Sequence, residues 1–167
     1  MDDIRKISIV SPVYMAENIL DELVDRISNE IGNLKLSFEI ILVEDASPDN
    51  SWKTIEKICL KHNFVKGIKL SRNFGQHYAI TAGVEASNGN VVVLMDCDLQ
   101  DSPSDIKFLL DQYYNGFDIV FTTRIDRKHN FFKKVLSRIY QKSFRLFSDK
   151  RFDVNMGSLV LFSSRVR

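Results

Sequence analysis

Val91-Val92-Val93-Leu94-Met95-Asp96-Cys97-Asp98-Leu99-Gln100-Asp101 joins an unbroken apolar run to a knot of carboxylates. The run has no polar alternation, so both of its faces call for burial, as in a central parallel strand. Turn chemistry in Ser87-Asn88-Gly89-Asn90 precedes it. The carboxylates follow at the strand's carboxyl end, where open parallel sheets bind their ligands. In extended geometry Asp96 and Asp98 share one side and Cys97 takes the other. Two carboxylates and the Gln100 amide oxygen form an all-oxygen set suited to Mg2+ or Mn2+. Such ions keep several waters and share phosphate oxygens with a substrate.

Outward from this strand, Lys6 to Ser11, Phe38 to Val43, Val65 to Leu70, Asp118 to Thr123 and Ser158 to Phe162 read as further strands. Apolar residues at helical spacing fill Ile19 to Ile31. Ser51 to about His62, Gly75 to Ala86 and Ser102 to near Asn115-Gly116 read as further helices. Asp49 or Asn50 is placed to cap the second helix. Ser102 is placed to cap the fourth, with Pro103 in its first turn and Asp105 closing the box. The alternation predicts an α/β fold: a mostly parallel, Rossmann-like sheet with helices on both faces.

With 167 residues, 44% of them hydrophobic, the chain suits one domain over residues 1–167 with a real core. No run approaches the ~18 apolar residues of a membrane span. Asp2 and Asp3 stand where a secretory signal carries cations. Cys59 and Cys97 are too few for a disulfide framework and fit a reducing, cytoplasmic setting. The net charge of +1 hides an asymmetry: 12 Lys/Arg against 3 Asp/Glu from Thr122 onward, 11 against 19 before it. A cation or substrate site is expected in the acidic part and an anionic surface opposite the basic part. No nucleic-acid partner is expected.

The basic part holds a long amphipathic segment, from about Asn130 to Phe147. Phe132, Val135, Leu136, Ile139, Phe144 and Phe147 fall near one helical face, among Lys133, Lys134, Arg138, Lys142 and Arg145. It reads either as a surface helix packed on the domain or as a helix lying on an anionic membrane surface.

The other strand ends carry Ser11-Pro12-Val13-Tyr14, Glu44-Asp45-Ala46-Ser47, Ser71-Arg72-Asn73-Phe74-Gly75 and Thr122-Thr123-Arg124. Asp45 reads as part of a solvated turn or as an acceptor for a nucleobase or ribose. Arg72 and Arg124 read as surface charges or, beside an acidic site, as phosphate ligands. His77 has no His or Cys at ligand spacing and reads as a helix-surface residue. Cys97 reads as a small buried residue, because flanking carboxylates raise a thiol pKa.

Taken in order, V-S-P-V-Y-M-A-E (Val10 to Glu17), V-E-D-A-S-P-D (Val43 to Asp49), S-R-N-F-G-Q (Ser71 to Gln76), M-D-C-D-L-Q-D-S-P (Met95 to Pro103) and the strand ending at Arg124 resemble the family 2 inverting glycosyltransferases of GT-A fold. The similarity is to the polyprenyl-phosphate branch that includes dolichyl-phosphate mannose synthase. It covers roughly three quarters of the chain. The resemblance implies that Pro12, Tyr14, Glu17 and Asp45 hold the nucleotide, with Arg72 and Cys97 in the nucleotide-sugar site. Asp96 would lie along the ribose and diphosphate. Asp98 and Gln100 would bind Mg2+ or Mn2+, and Arg124 would meet the diphosphate. Asp98 and Arg124 would then carry catalysis by stabilising the leaving group. The donor would be a nucleotide-diphosphate sugar, and the work that of cell-envelope glycan biosynthesis at the cytoplasmic membrane face.

The departures from the family pattern are informative. Its D-D-G-S is here Glu44-Asp45-Ala46-Ser47, the middle Ala of its D-A-D is Cys97, and its late D-F-R-L is Ser158-Leu159-Val160-Leu161. That last segment often supplies the carboxylate proposed as acceptor base, so the base has no owner here. A sugar hydroxyl acceptor needs a base. A lipid phosphate, with a second pKa near ~6, is already largely anionic. This counts toward a phosphate acceptor, and the resemblance implies that it is a polyprenyl phosphate. The alternatives are a glycan hydroxyl acceptor, or a catalytically silent module that binds nucleotides or docks on membranes. Association between copies of the chain stays open. The branch commonly continues into membrane segments, so the chain is expected to be a C-terminally truncated piece.

Overall fold

Strand β1 (Lys6–Val13) is the pivot of the sheet, pairing parallel with β2 (Ser37–Glu44) on one side and with β4 (Val91–Leu94) on the other. The computed structural model describes residues 4–123 and 156–166. Strand β3 (Val65–Lys69) extends the parallel set beyond β2. Beyond β4 come β6 (Met156–Ser163) and then β5 (Ile119–Thr123), so the order is β3-β2-β1-β4-β6-β5. Strand β6 runs antiparallel to β4, with Leu94 opposite Val160 and Val91 opposite Ser163. Ser163 N–H donates to the Asp118 carbonyl and Thr122 Oγ1 to the Leu159 carbonyl, contacts that run in opposite chain directions along β5 and β6. Apart from Thr123 of β5 and Met156 and Gly157 of β6, these strands and their helices belong to one compact body of Met1–Thr122 and Ser158–Arg167, and Thr123–Gly157 form a second unit.

The helices are α1 (Leu20–Asn33), α2 (Ser51–Lys61), α3 (Gln76–Glu85) and α4 (Asp105–Tyr114). Side chains alternate across a strand, and the two faces of the sheet meet different helices. Ile7, Ile9, Ile40, Leu42, Val91 and Val93 pack with Leu23 and Ile27 of α1, Ile55 of α2 and Ile106 of α4. Val10, Ile41, Val43 and Val92 pack with Ala79 of α3. Each fully buried Ile or Leu contributes about 1.5–3 kcal/mol. Helix α3 lies so close to the sheet that a Cβ on Gly83 would stand 2.4 Å from Val10 Cγ1. Glycine there lets the helix carry Gln76 to the sheet's edge.

Two local expectations fail. Ser102 caps nothing: its hydroxyl meets that of Ser104 at 2.7 Å, and α4 begins only at Asp105. The entry is instead a tight turn in which Asp105, Ile106 and Lys107 N–H groups donate to the Ser102, Pro103 and Ser104 carbonyls. The regular alternation expected along Asp96-Cys97-Asp98 is also absent, because β4 stops at Leu94 and the chain turns, with Leu99 at φ 59°. The long amphipathic segment, Asn130 to Phe147, lies outside the described residues, as does Arg124.

At the amino-terminal edge of the sheet, Glu39 is a buried carboxylate that ties three strands together. It accepts from Ser8 Oγ of β1 and Asn88 N at 2.7 Å each, and from Lys66 Nζ of β3 at 2.7 Å, with Lys6 Nζ at 3.0 Å.

At the opposite edge, Ala46 sits at φ 49°, where a Cβ costs roughly 1–2 kcal/mol. Part of the gain from removing it is lost to the greater freedom of an unfolded glycine. Ala46→Gly is therefore expected to stabilise the protein by up to about 1 kcal/mol, roughly 2–4 °C in Tm. A thermal melt in which Ala46→Gly lowers Tm would show that this turn is not under strain.

Candidate active site

The carboxyl ends of β1, β2 and β4 and the start of α3 enclose a cleft of about 210 Å³ lined by Pro12, Val13, Tyr14, Asp45, Gln76, Asp96, Cys97 and Asp98. Parallel strands that stop at one level leave their following loops side by side, which is why residues so far apart in the chain meet. Tyr14 and Asp98 are exposed, Asp45 is buried, and Asp96 and Cys97 are half-buried.

The Asp45 carboxylate accepts two backbone hydrogen bonds. Its Oδ1 accepts from Phe74 N and its Oδ2 from Gly75 N, each at 2.8 Å. A buried carboxylate needs such donors. They pin the loop that opens α3, whose residue before the helix, Gly75, sits at φ 95°. Asp45 thus shapes the cleft as well as lining it. Gln76, the first residue of α3, then reaches across to donate from Nε2 to Asp96 Oδ1 at 2.8 Å. Loop and carboxylates are therefore locked together from the ends of both β2 and β4.

The loop after β1 is held by the one after β2. Met15 N donates to Ser47 Oγ at 2.7 Å, Ala16 N to Ser51 Oγ at 3.0 Å and Glu17 N to Asp49 Oδ2 at 3.2 Å. Glu17 Oε2 returns the bond by accepting from Asn50 N at 2.7 Å. Burial would raise the Asp49 carboxyl, but hydrogen bonds from the Ser51 and Ser47 hydroxyls and from the Ser51 and Glu17 amides bring it down to about 2. Beneath, Glu44 accepts from Ser47 N through Oε1. Among the described residues, its buried Oε2 and the Ser11 hydroxyl have no hydrogen-bond partner.

Burial pushes the Cys97 thiol up, a hydrogen bond at the Tyr14 backbone opposes this, and the Asp96 and Asp98 carboxylates add to the rise. Cys97 therefore stands in the cleft as a neutral thiol, not as a nucleophile.

Of the residues read as site members, Pro12, Tyr14, Asp45, Asp96, Cys97 and Asp98 converge on the cleft. Glu17 is engaged with the start of α2. Arg72 is exposed and stacks over the Phe74 ring at 4.7 Å. Gln100 is exposed, and its backbone N–H donates to Asp98 Oδ1 at 3.0 Å. His77 is exposed on α3, as its lack of ligand-spaced partners suggested. Sequence reasoning missed Gln76. The signal was present, since the residue follows a strand-end loop aimed at this edge, but nothing local says that its amide reaches a strand end twenty residues on.

Among the described residues no three His, Cys, Asp or Glu side chains are grouped to hold an ion. The Asp96–Asp98 pair nonetheless fits a hard cation whose remaining oxygens come from a phosphate ligand, the usual way Mg2+ is bound.

Comparison with known proteins agrees with this layout. The chain is 39% identical over 139 residues to an undecaprenyl-phosphate 4-deoxy-4-formamido-L-arabinose transferase of Proteus mirabilis, covering 83% of this chain and 43% of that one. It is 37% identical to the protein of the same name from Aeromonas hydrophila, covering 84% of this chain and 44% of that one. The chain thus spans less than half the length of the curated relatives it matches. A mannosyltransferase of Pyrobaculum calidifontis, solved with GDP-Man and Mn2+, superposes with a TM-score of 0.68 at 16% identity over 98% of this chain and 45% of its own. Glucosyl-3-phosphoglycerate synthase of Mycobacterium tuberculosis, solved with UDP, gives 0.68 at 18% identity over 97% of this chain and 58% of its own. These superpositions show the GT-A fold. The family model for glycosyl transferase family 2 matches residues 8–165, and the chain belongs to that family.

Proposed function

We propose that this chain is the catalytic part of an inverting glycosyltransferase that moves a sugar from a nucleotide-diphosphate sugar to a polyprenyl phosphate, with Mg2+ or Mn2+. The observation that carries the reading is the cleft: carboxylates from the ends of β2 and β4 meet beside Tyr14 in a family 2 chain. The two relatives named above as undecaprenyl-phosphate transferases support the acceptor class. The Mn2+ complex of the Pyrobaculum calidifontis enzyme supports the metal.

In this reading Pro12 and Tyr14 flank the nucleoside. Asp45 keeps the α3 loop in place at its edge, and Asp96 lies along the ribose and diphosphate. Asp98, with Gln100, holds the divalent ion, which when bound supplies Lewis-acid stabilisation of the leaving group. Arg72 and Arg124 are the cations assigned to phosphate. An oxygen of the acceptor phosphate attacks the anomeric carbon from the face opposite the diphosphate. The bond from that carbon to the diphosphate oxygen breaks, and its electron pair leaves with the nucleoside diphosphate. The acceptor is already anionic, so the step needs no proton acceptor. A lipid acceptor sets the reaction at a membrane surface. No described helix is long and apolar enough to cross one.

The test is transfer of labelled sugar from UDP-, GDP- and dTDP-sugars to a polyprenyl phosphate with Mn2+ or Mg2+. Chelator-sensitive label in the lipid fraction, with release of nucleoside diphosphate, is expected from one donor. Transfer only to a glycan hydroxyl would overturn the acceptor class. Failure to bind any of the donors would overturn the whole reading.

A further inference from the structure

The turn from Asp96 to Asp101 leaves β4 and must hold Asp98 still on the way to α4. Leu99 within it lies at φ 59°, a conformation that costs a non-glycine residue free energy and persists only where the surroundings over-determine it. One constraint is internal: Gln100 N–H donates to Asp98 Oδ1. A second is at the near end, where Gln76 holds Asp96. The third is at the far end and comes from a distant part of the chain. Ser158 Oγ donates to Asp101 Oδ2 across 57 positions of sequence.

Ser158 is well placed for this. It belongs to β6, whose antiparallel register on β4 runs to Leu94 opposite Val160. Two residues beyond this pair, forward along the chain from Leu94 and back from Val160, stand Asp96 and Ser158, so Ser158 is at the carboxyl edge of the sheet beside the start of the turn. A strand in a fixed register is a rigid mount for a supporting hydrogen bond. Both Ser158 and Asp101 are half-buried. A hydroxyl at this point donates to Asp101, which an ionised carboxylate cannot do.

We propose that Ser158 is a positioning residue for donor binding: through Asp101 it fixes the Asp96–Asp101 turn so that Asp98 and Gln100 present their oxygens to a divalent ion and a diphosphate together. The proposal rests on the donor-binding reading above and adds a residue outside the carboxylate motif to it. It also gives the serine that replaces the family's late carboxylate a task of its own.

The test uses Mn2+ with UDP or GDP on the whole chain, read as bound Mn2+ by electron paramagnetic resonance and as nucleotide affinity by calorimetry. Supporting residues around a metal site typically carry 10–100-fold in affinity, so Ser158→Ala is expected to weaken Mn2+-dependent nucleoside-diphosphate binding about tenfold. Metal-free binding of UMP or GMP and the thermal midpoint should stay near those of the parent. Ser158→Thr, which keeps the hydroxyl, should restore the parent's affinity. Asp101→Ala should weaken binding at least as much as Ser158→Ala, and adding Ser158→Ala to it should cost less than Ser158→Ala alone costs the parent, because the bond they share is already gone. Parent-like binding by Ser158→Ala, failure of threonine to restore it, or additive losses would each overturn the proposal. A folded parent that binds no nucleoside diphosphate with Mn2+ would remove the donor-binding reading, and this proposal with it. That result differs from the other three because the parent itself is silent.

Discussion

Asp98→Ala is expected to cost ~100-fold or more in Mn2+-dependent binding of a nucleoside diphosphate, since loss of a metal ligand should match or exceed the 10–100-fold typical of outer-shell losses. Asp98 is exposed and lines the cleft, and it accepts from the Gln100 backbone amide two residues on. Its removal should therefore leave the fold within about 0.5 kcal/mol of the parent. The effect should be confined to the charged end of the ligand. With chelator present, parent and variant should bind UMP or GMP alike, because the proposed donor pose sets the nucleoside portion against Pro12 and Tyr14 instead. Calorimetric titrations with Mn2+ and with chelator read both arms. Equal Mn2+-dependent affinity in Asp98→Ala and the parent would show that the ion, if any, is held elsewhere.

The largest expected effect on stability lies at the other end of the sheet. Glu39 is 2% exposed and accepts from Ser8 Oγ, Asn88 N, Lys66 Nζ and Lys6 Nζ. Burial raises its carboxyl, yet hydrogen bonds from Lys66, Ser8, the Asn88 amide and Lys6 together lower it from 4.5 to about 2. Because the folded value lies below the unfolded one, the stabilisation is fully present above about pH 4.5 and is lost as pH falls toward 2. Glu39→Ala leaves the Ser8 hydroxyl and the Asn88 amide without their acceptor. Lys6 and Lys66, partly exposed, can return to water, which softens the loss. A destabilisation of about 3 kcal/mol near neutral pH is expected. The gap between variant and parent should close as pH falls from 4.5 to 2. Urea unfolding across that range checks both statements. A constant gap at every pH would mean that packing, not the ionised carboxylate, sets the cost.

How much of this was legible in the chain differs by element. The β4 run was readable because five apolar residues without alternation suit only a strand buried on both faces. Each parallel strand was found within a residue or two, α1 followed from its apolar spacing, and α2 and α3 fell where helices were read between strands. The cleft was readable too, since a parallel sheet brings its carboxyl ends to one edge and Pro12, Tyr14, Asp45 and the Asp96–Asp98 pair stand at those ends. The chemistry of hard oxygens at such an edge is local, so a local reading reached it.

Other features are properties of pairs distant in sequence, and those only the tertiary structure decided. No local signal says that β6 inserts antiparallel between β4 and β5, because an edge or an interior place for a strand depends on what else the sheet offers it. Ser102 looked like a cap by its neighbours alone, yet its hydroxyl bonds Ser104. Gln76 on Asp96, the Phe74 and Gly75 amides on Asp45, and Ser158 on Asp101 each join residues 20 or more positions apart. Composition and periodicity report which face of an element is buried, and so they determined the layers and the edge that carries the cleft. A hydrogen bond needs two groups within about 3 Å in the right direction, and only the packing of helices and strands against one another sets that.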